Sequence, residues 1–163
     1  MTTSTASDQV SLLSQTDGDD LSSARRVLGI EANALNSLAA NLGENFILTI
    51  EVLSKIKGRV IISGMGKSGH IAKKIAATMA STGTPSFYVH PGEASHGDLG
   101  MITKDDAVLV LSNSGETTEL ADLIVYCKRF DIPLISMTSR KNSTLDTAAT
   151  ISFVLPPAPE ACP

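Results

Sequence analysis

At 163 residues the chain is long enough for one domain that buries most of its apolar side chains in a single core. Hydrophobic residues make up 42% and charged ones 18%; the net charge of -4, with no cluster of lysine or arginine, excludes nucleic acid and anionic membrane surfaces as expected partners. No apolar stretch approaches the ~20 residues of a membrane span, the first residues are polar rather than basic and then apolar, and Cys127 and Cys162 make no disulfide framework, so the composition predicts a cytoplasmic protein.

Residues 1–20 carry no periodicity and predict a flexible N-terminal tail ahead of a folded domain at 21–163. From Leu21 to about Leu42, the residues Ala24, Val27, Leu28, Leu35 and Leu38 form an amphipathic stripe, and after Gly43 a second stripe runs through Phe46, Ile47, Ile50, Leu53 and Ile56. Two helices are expected there. Their apolar faces exceed what one small sheet covers, which leaves room for a subunit contact, the alternative being packing on the domain's own core.

Arg59 to Ser63 is a β-branched run that reads as a strand covered on both faces. It leads into Gly64-Met65-Gly66-Lys67-Ser68-Gly69, after which Ile71, Ile75 and Met79 recur at helical spacing. A strand that ends in glycines and opens a helix aims several backbone N–H groups, backed by the helix dipole, at one spot. Lys67 adds a mobile positive charge and Ser68 a hydroxyl, so the expected guest is a phosphate. The six residues also fit G-x-G-x-x-G, but the second strand ends in Val89-His90-Pro91, without the acid a dinucleotide site requires. Ile61 stands where a Walker A loop has glycine.

Gly83-Thr84-Pro85 is a turn and Ser86 to His90 a second strand, followed at 90–102 by a polar loop, HPGEASHGDLGMI. His90 and His96, with Glu93 and Asp98 nearby, are read as hydrogen-bonding partners of substrate hydroxyls; zinc with His90 as a ligand is the alternative, although the spacing matches no closed structural site. Ala107 to Leu111 is a third strand. Ser112-Asn113-Ser114-Gly115-Glu116-Thr117 follows it, and then a helix through Leu120, Leu123, Ile124 and Cys127. Ser112, Ser114 and Thr117 together offer more donors than one helix cap needs and would surround a phosphate. Glu116 and Glu119 read as one turn apart on that helix, and at least one of them must point away from a phosphate. Pro133 to Met137, a short helix at Asn142 to Ala149, and Ile151 to Leu155 complete the pattern.

Alternating strands and helices predict an α/β fold: a three-layer, doubly wound, five-stranded parallel sheet in the flavodoxin-like order 2-1-3-4-5, with N-terminal helices. In that order the crevice opens at the carboxyl ends of strands one and three, where the two polar loops would face each other.

GMGKSG, STGTPSFYVHPGEASHGDLGMI, SNSGETTE and PEACP together resemble the sugar isomerase (SIS) domain of D-arabinose 5-phosphate isomerases of the KpsF/GutQ type, over about residues 25–163. The resemblance implies an aldose–ketose isomerase that interconverts D-ribulose 5-phosphate and D-arabinose 5-phosphate, feeding Kdo for bacterial lipopolysaccharide, as a cytoplasmic homotetramer. Such a reaction passes through an enediol and requires no cofactor. The resemblance places the functional lysine at Lys67, functional glutamates at Glu119 and Glu160, and substrate contacts at Gly83, Thr84, His90 and His96. By the same likeness a further functional histidine, the last helices and paired CBS modules would follow Pro163. A domain shortened in that way at its C-terminal end is expected to bind sugar phosphate and isomerise it slowly or not at all. The alternative is a non-catalytic regulatory module that binds sugar phosphates.

Overall fold

In the computed structural model, which describes residues 6–161, Gly43 separates two helices as the pattern predicts: α1 runs Ala6–Asn41 and α2 runs Glu44–Lys55. α1 begins at Ala6, inside the stretch 1–20 expected as a tail; residues 1–5 and 162–163 lie outside the described part of the protein. Once a downstream turn has nucleated, each added residue costs only propagation, so a polar stretch without its own apolar stripe can still be helical. α1 and the segment from Pro156 form one compact unit, in which the Arg26 guanidinium donates to the Ala161 carbonyl at 3.3 Å. Leu42–Leu155 is the other unit and carries the sheet.

The sheet consists of β1 Val60–Gly64, β2 Ser86–Val89, β3 Ala107–Leu111, β4 Leu134–Thr138 and β5 Ile151–Val154, all parallel, in the order β2-β1-β3-β4-β5. That is the predicted order. The remaining helices are α3 Gly66–Ser81, α4 Pro91–Ser95, α5 Ala121–Arg129 and α6 Thr144–Ala148, with single 3-10 turns at Asp98–Met101 and Thr118–Leu120. The stretch after β2 is therefore not an open loop. His90 caps α4, Pro91 takes its first turn, where a missing N–H costs nothing, and Ala94 is buried beneath it.

Period-two alternation along the strands divides the core between the two faces of the sheet. Val60 and Ile62 pack with Ala72 and Ala76 of α3, with Leu53 of α2 and with Ile56 just after it. Ile61, Val108 and Val110 pack on the other face with Ala94, Leu120, Leu123, Ile124 and Leu145. Asn45 docks α2 by donating to the Ser152 carbonyl at 2.7 Å. Among the described residues no helix is long and apolar enough to cross a membrane.

Asp106 fastens the amino ends of β1 and β3. Its buried carboxylate accepts the Arg59 N–H at 2.6 Å and both the N–H and hydroxyl of Thr103, at 2.8 and 3.0 Å. Gly58 is required beside it, since a Cβ there would overlap the Asp106 carboxylate and lie 2.8 Å from the Asp105 carbonyl.

Cys127 is buried in α5 and burial pushes its thiol up to about 12. A raised value means the fold favours the neutral thiol, a contribution fully present below 9.0 and lost as pH rises from there toward 12. At pH 8 the thiolate is scarce, so Cys127 in the folded protein is expected to resist iodoacetamide and to label only once α5 opens. Mass spectrometry of the Cys127 peptide across a urea series checks this; rapid labelling without denaturant would contradict it.

Candidate functional site

β1 and β3 are neighbours in register, Gly64 opposite Leu111, so the backbone leaves both strands side by side at the carboxyl edge. On the β1 side, Met65 is extended, Gly66 adopts φ +56, and the start of α3 is left uncapped by any side chain. The first N–H groups of a helix have no partner within it. Those of Gly66, Lys67 and Ser68 open the turn, and the Gly69 N–H bonds back to the Met65 carbonyl at 3.2 Å. Lys67 is exposed and makes no ion pair among the described residues, while Ser68 is half-buried.

A crossing of two glycines fixes this turn. A Cβ on Gly69 would lie 2.6 Å from the Gly64 carbonyl oxygen, and one on Gly64 would lie 2.9 Å from the Leu111 carbonyl oxygen. Only glycine lets α3 rest so close on β1. The Tyr88 hydroxyl donates to the same Gly64 carbonyl at 2.8 Å, and Lys73 lies over its ring. The sequence offers no local sign of the Tyr88 contact, because it joins residues on different strands.

On the β3 side the loop 112–117 is wound tightly about Gly115, which takes φ +67. Ser112 is buried. Its Oγ accepts the Gly115 N–H at 3.1 Å and lies 2.8 Å from the Thr117 hydroxyl, so it braces the loop from within. Ser114 is exposed and accepts the Glu116 N–H at 3.2 Å; Thr117 is half-buried. The end of β4 holds the other side, as the Ser139 N–H donates to the Asn113 carbonyl at 3.1 Å and the Ser139 hydroxyl to Asn113 Oδ1 at 2.7 Å.

The two acids separate. Glu116 is not on the following helix but in the loop, and both of its oxygens turn to α6: the Thr144 N–H donates to Oε1 at 3.0 Å and the Thr144 hydroxyl to Oε2 at 2.6 Å. The Thr144 side chain first and its backbone N–H second hold the Glu116 carboxyl below its ordinary value, outweighing desolvation, with a smaller attraction from Arg140. Glu119, in the 3-10 turn at Thr118–Leu120, is exposed and among the described residues takes only the Thr118 hydroxyl, at 3.1 Å. Its carboxylate remains available.

His90 also lies at the carboxyl edge, directly after β2. Its Nδ1 accepts the Gly92 N–H at 3.1 Å, so the neutral ring carries its proton on Nε2. Ala94 of α4 and Leu120 share one buried cluster, which brings α4 beside the turn that carries Glu119; His96 is exposed at the end of α4. Among the described residues no three histidine, cysteine or acidic side chains gather as a metal-binding group.

Two expected substrate contacts are not brought to this edge. Gly83, at φ +96, and Thr84 join the end of α3 to the start of β2, and Val60 at the start of β1 bonds to Pro85 beside them. They sit at the amino edge, a strand length of roughly 15 Å from Lys67, because α3 runs the full height of the sheet before β2 begins. Glu160 is exposed on the segment that belongs with α1.

A family model, the SIS domain, matches residues 52–162. Arabinose 5-phosphate isomerase KdsD of Pseudomonas aeruginosa is 56% identical over 145 residues, covering 89% of this chain and 44% of its own length. KdsD of Escherichia coli K12 is 51% identical over 139 residues, 85% of this chain and 42% of its own. The chain thus spans less than half the length of the curated relatives it matches. A structure of an Escherichia coli CFT073 protein in complex with arabinose 5-phosphate superposes with a TM-score of 0.79 at 39% identity, over 97% of this chain and 78% of that one. A structure from Listeria monocytogenes gives 0.83 at 30% identity, over 88% and 75%.

Proposed function

The chain belongs to the SIS domain family, and we propose that it interconverts D-arabinose 5-phosphate and D-ribulose 5-phosphate, an aldose–ketose isomerisation. The observation that carries this reading is the pairing, across adjacent strands, of an uncapped helix start, whose Lys67 makes no ion pair among the described residues, with the hydroxyl-rich loop 112–117. Free N–H groups, one mobile cation and neutral hydroxyls suit a phosphate dianion. The likeness to KdsD, over most of this chain, supports the choice of pentose phosphate.

In this reading Ser68, Ser114 and Thr117 hold the phosphate, with Ser112 behind Thr117, and Lys67 balances charge on the phosphate or on the enediolate. Isomerisation moves a proton between C1 and C2, which requires a carboxylate or imidazole within reach and a donor for the oxyanion. Glu119 is the free carboxylate of the loop side, since Glu116 has both oxygens engaged. His90 offers Nε2–H to a sugar hydroxyl, and His96 a second imidazole nearby. No metal enters this scheme: zinc at Nε2 would need the proton on Nδ1, where it would meet the Gly92 N–H. Glu160 remains the other candidate for the proton transfer, on its likeness to the family alone. The same likeness supports a cytoplasmic homotetramer that supplies arabinose 5-phosphate for Kdo, with exposed Phe46, Ile47 and Ile50 of α2 as apolar surface for a subunit contact.

The test is proton exchange. Arabinose 5-phosphate is incubated with the protein in deuterium oxide and its C2 proton followed by NMR. Slow loss of that signal, above the rate without protein and matched by appearance of ribulose 5-phosphate, is the expected result. Saturable binding without exchange would leave a regulatory sugar-phosphate module, and no binding would overturn the assignment.

A further inference from the structure

The Glu116 carboxylate is an unexpected group in a loop assigned to phosphate, because a negative charge there opposes the guest unless it is spent elsewhere. It is spent on Thr144, with one oxygen on the backbone N–H and the other on the hydroxyl. A second bond lies beside the first, from the Leu145 N–H to the Gly115 carbonyl at 3.0 Å. Gly115 itself presses on α6, since a Cβ there would overlap Ser143 and lie 3.0 Å from the Thr138 hydroxyl. A cavity of about 180 Å³ lies beside the clamp, lined by Glu116 and Thr144 together with Thr117, Leu120, Ile124 and Leu145.

We propose that Glu116 is a positioning residue: by clamping Thr144 at the start of α6 it holds the 112–117 loop in the shape that receives the phosphate. The proposal rests on the phosphate reading of that loop and adds the element that sets its geometry. Glu116 touches neither the sugar nor the phosphate. Its two bonds fix the peptide on one side of Gly115 while the bonds from Ser139 to Asn113 fix the other. Between these two anchors, Ser114 and Thr117 have little freedom, and a ligand pays less to order them. The clamp also keeps the carboxylate's charge turned toward donors rather than toward the phosphate.

The test uses the 163-residue protein with Glu116→Ala, Glu116→Gln, Thr144→Val and the Glu116→Ala/Thr144→Val double variant. Calorimetry at 10 °C gives the affinity for arabinose 5-phosphate, and amide hydrogen exchange without ligand gives the protection of Gly115 and Leu145. Glu116→Ala is expected to weaken binding about tenfold and Thr144→Val by a part of that, and both should speed exchange at those two amides. The double variant should be no worse than Glu116→Ala alone, as both changes cut one clamp. Glu116→Gln should bind within about threefold of the unaltered protein, because its amide oxygen accepts the Thr144 N–H and the Thr144 hydroxyl can rotate to accept from its NH2.

A merely destabilising change would not be rescued by glutamine in this pattern, and a direct ligand contact would not be reproduced by Thr144→Val. Undiminished binding in Glu116→Ala, or fully additive losses in the double variant, overturns the proposal. If the unaltered protein binds no arabinose 5-phosphate, the functional reading falls, and exchange at Gly115 and Leu145 still decides the clamp: unchanged protection in Glu116→Ala refutes it.

Discussion

Lys67→Ala is expected to lower turnover of arabinose 5-phosphate by about 100-fold and its affinity by about tenfold, with the thermal midpoint nearly unmoved. The two effects part because of where Lys67 sits. It is exposed in the first turn of α3 and pairs with no carboxylate among the described residues, so its removal leaves no buried group without a partner. Alanine is a good helix former, and the backbone N–H groups of the turn stay in place. On the proposed reading, what is lost is the cation next to the charge that develops as the proton leaves carbon, and preorganised charge of that kind is worth more in the transition state than in the ground state. Steady-state kinetics, calorimetry and a thermal melt on one preparation check all three. Near-normal turnover would remove Lys67 from the chemistry; a collapsed midpoint would mean that the side chain serves the fold.

Gly69→Ala is expected to be destabilising by about 2–3 kcal/mol and to abolish tight phosphate binding, although alanine replaces glycine inside a helix. On propensity alone that change should stabilise by up to about 1 kcal/mol. Here the new methyl would stand 2.6 Å from the Gly64 carbonyl oxygen and 3.0 Å from the Tyr88 hydroxyl, and one of the two obstacles is backbone of β1. α3 must lift from β1, breaking the 2.8 Å bond between Tyr88 and Gly64 and moving the N–H groups of Gly66 to Ser68 out of aim. A displacement of about 1 Å at such a site can cost ~100-fold in rate. For a domain of this size the stability loss corresponds to a fall of roughly 5–10 °C in midpoint. A midpoint equal to or above that of the unaltered protein would show that the crossing has room to spare. Gly66→Ala is the informative companion: its φ of +56 is strained for alanine, but nothing lies within 4 Å of the new methyl, so the cost there should be conformational only.

The sequence alone determined the sheet. Apolar runs of strand length alternating with helical stripes leave a parallel sheet as the solution, and right-handed crossovers with short connections prune the orders to few. It also marked the two loops as the candidate phosphate site, because glycine, hydroxyl and lysine at a strand-to-helix junction act through backbone geometry that neighbouring residues set. The stretch after β2 from Pro91 to Ser95 reads as loop and folds as helix, since polar composition hid a proline in the first turn and one buried alanine.

Only the tertiary structure decided which way each side chain faces. Glu116 and Glu119 look alike in the sequence; one is bound to Thr144, 28 residues away, and the other is free. Ser112, Ser114 and Thr117 read as three equal donors, yet Ser112 is buried and committed to the loop itself. Gly83 and Thr84 follow Lys67 closely in sequence and end at the opposite edge, because α3 spans the sheet between them. The physical reason is the same in each case. Local spacing fixes what a segment becomes, while the direction of its side chains depends on the register of elements distant in sequence, which the packing of both faces of the sheet sets together.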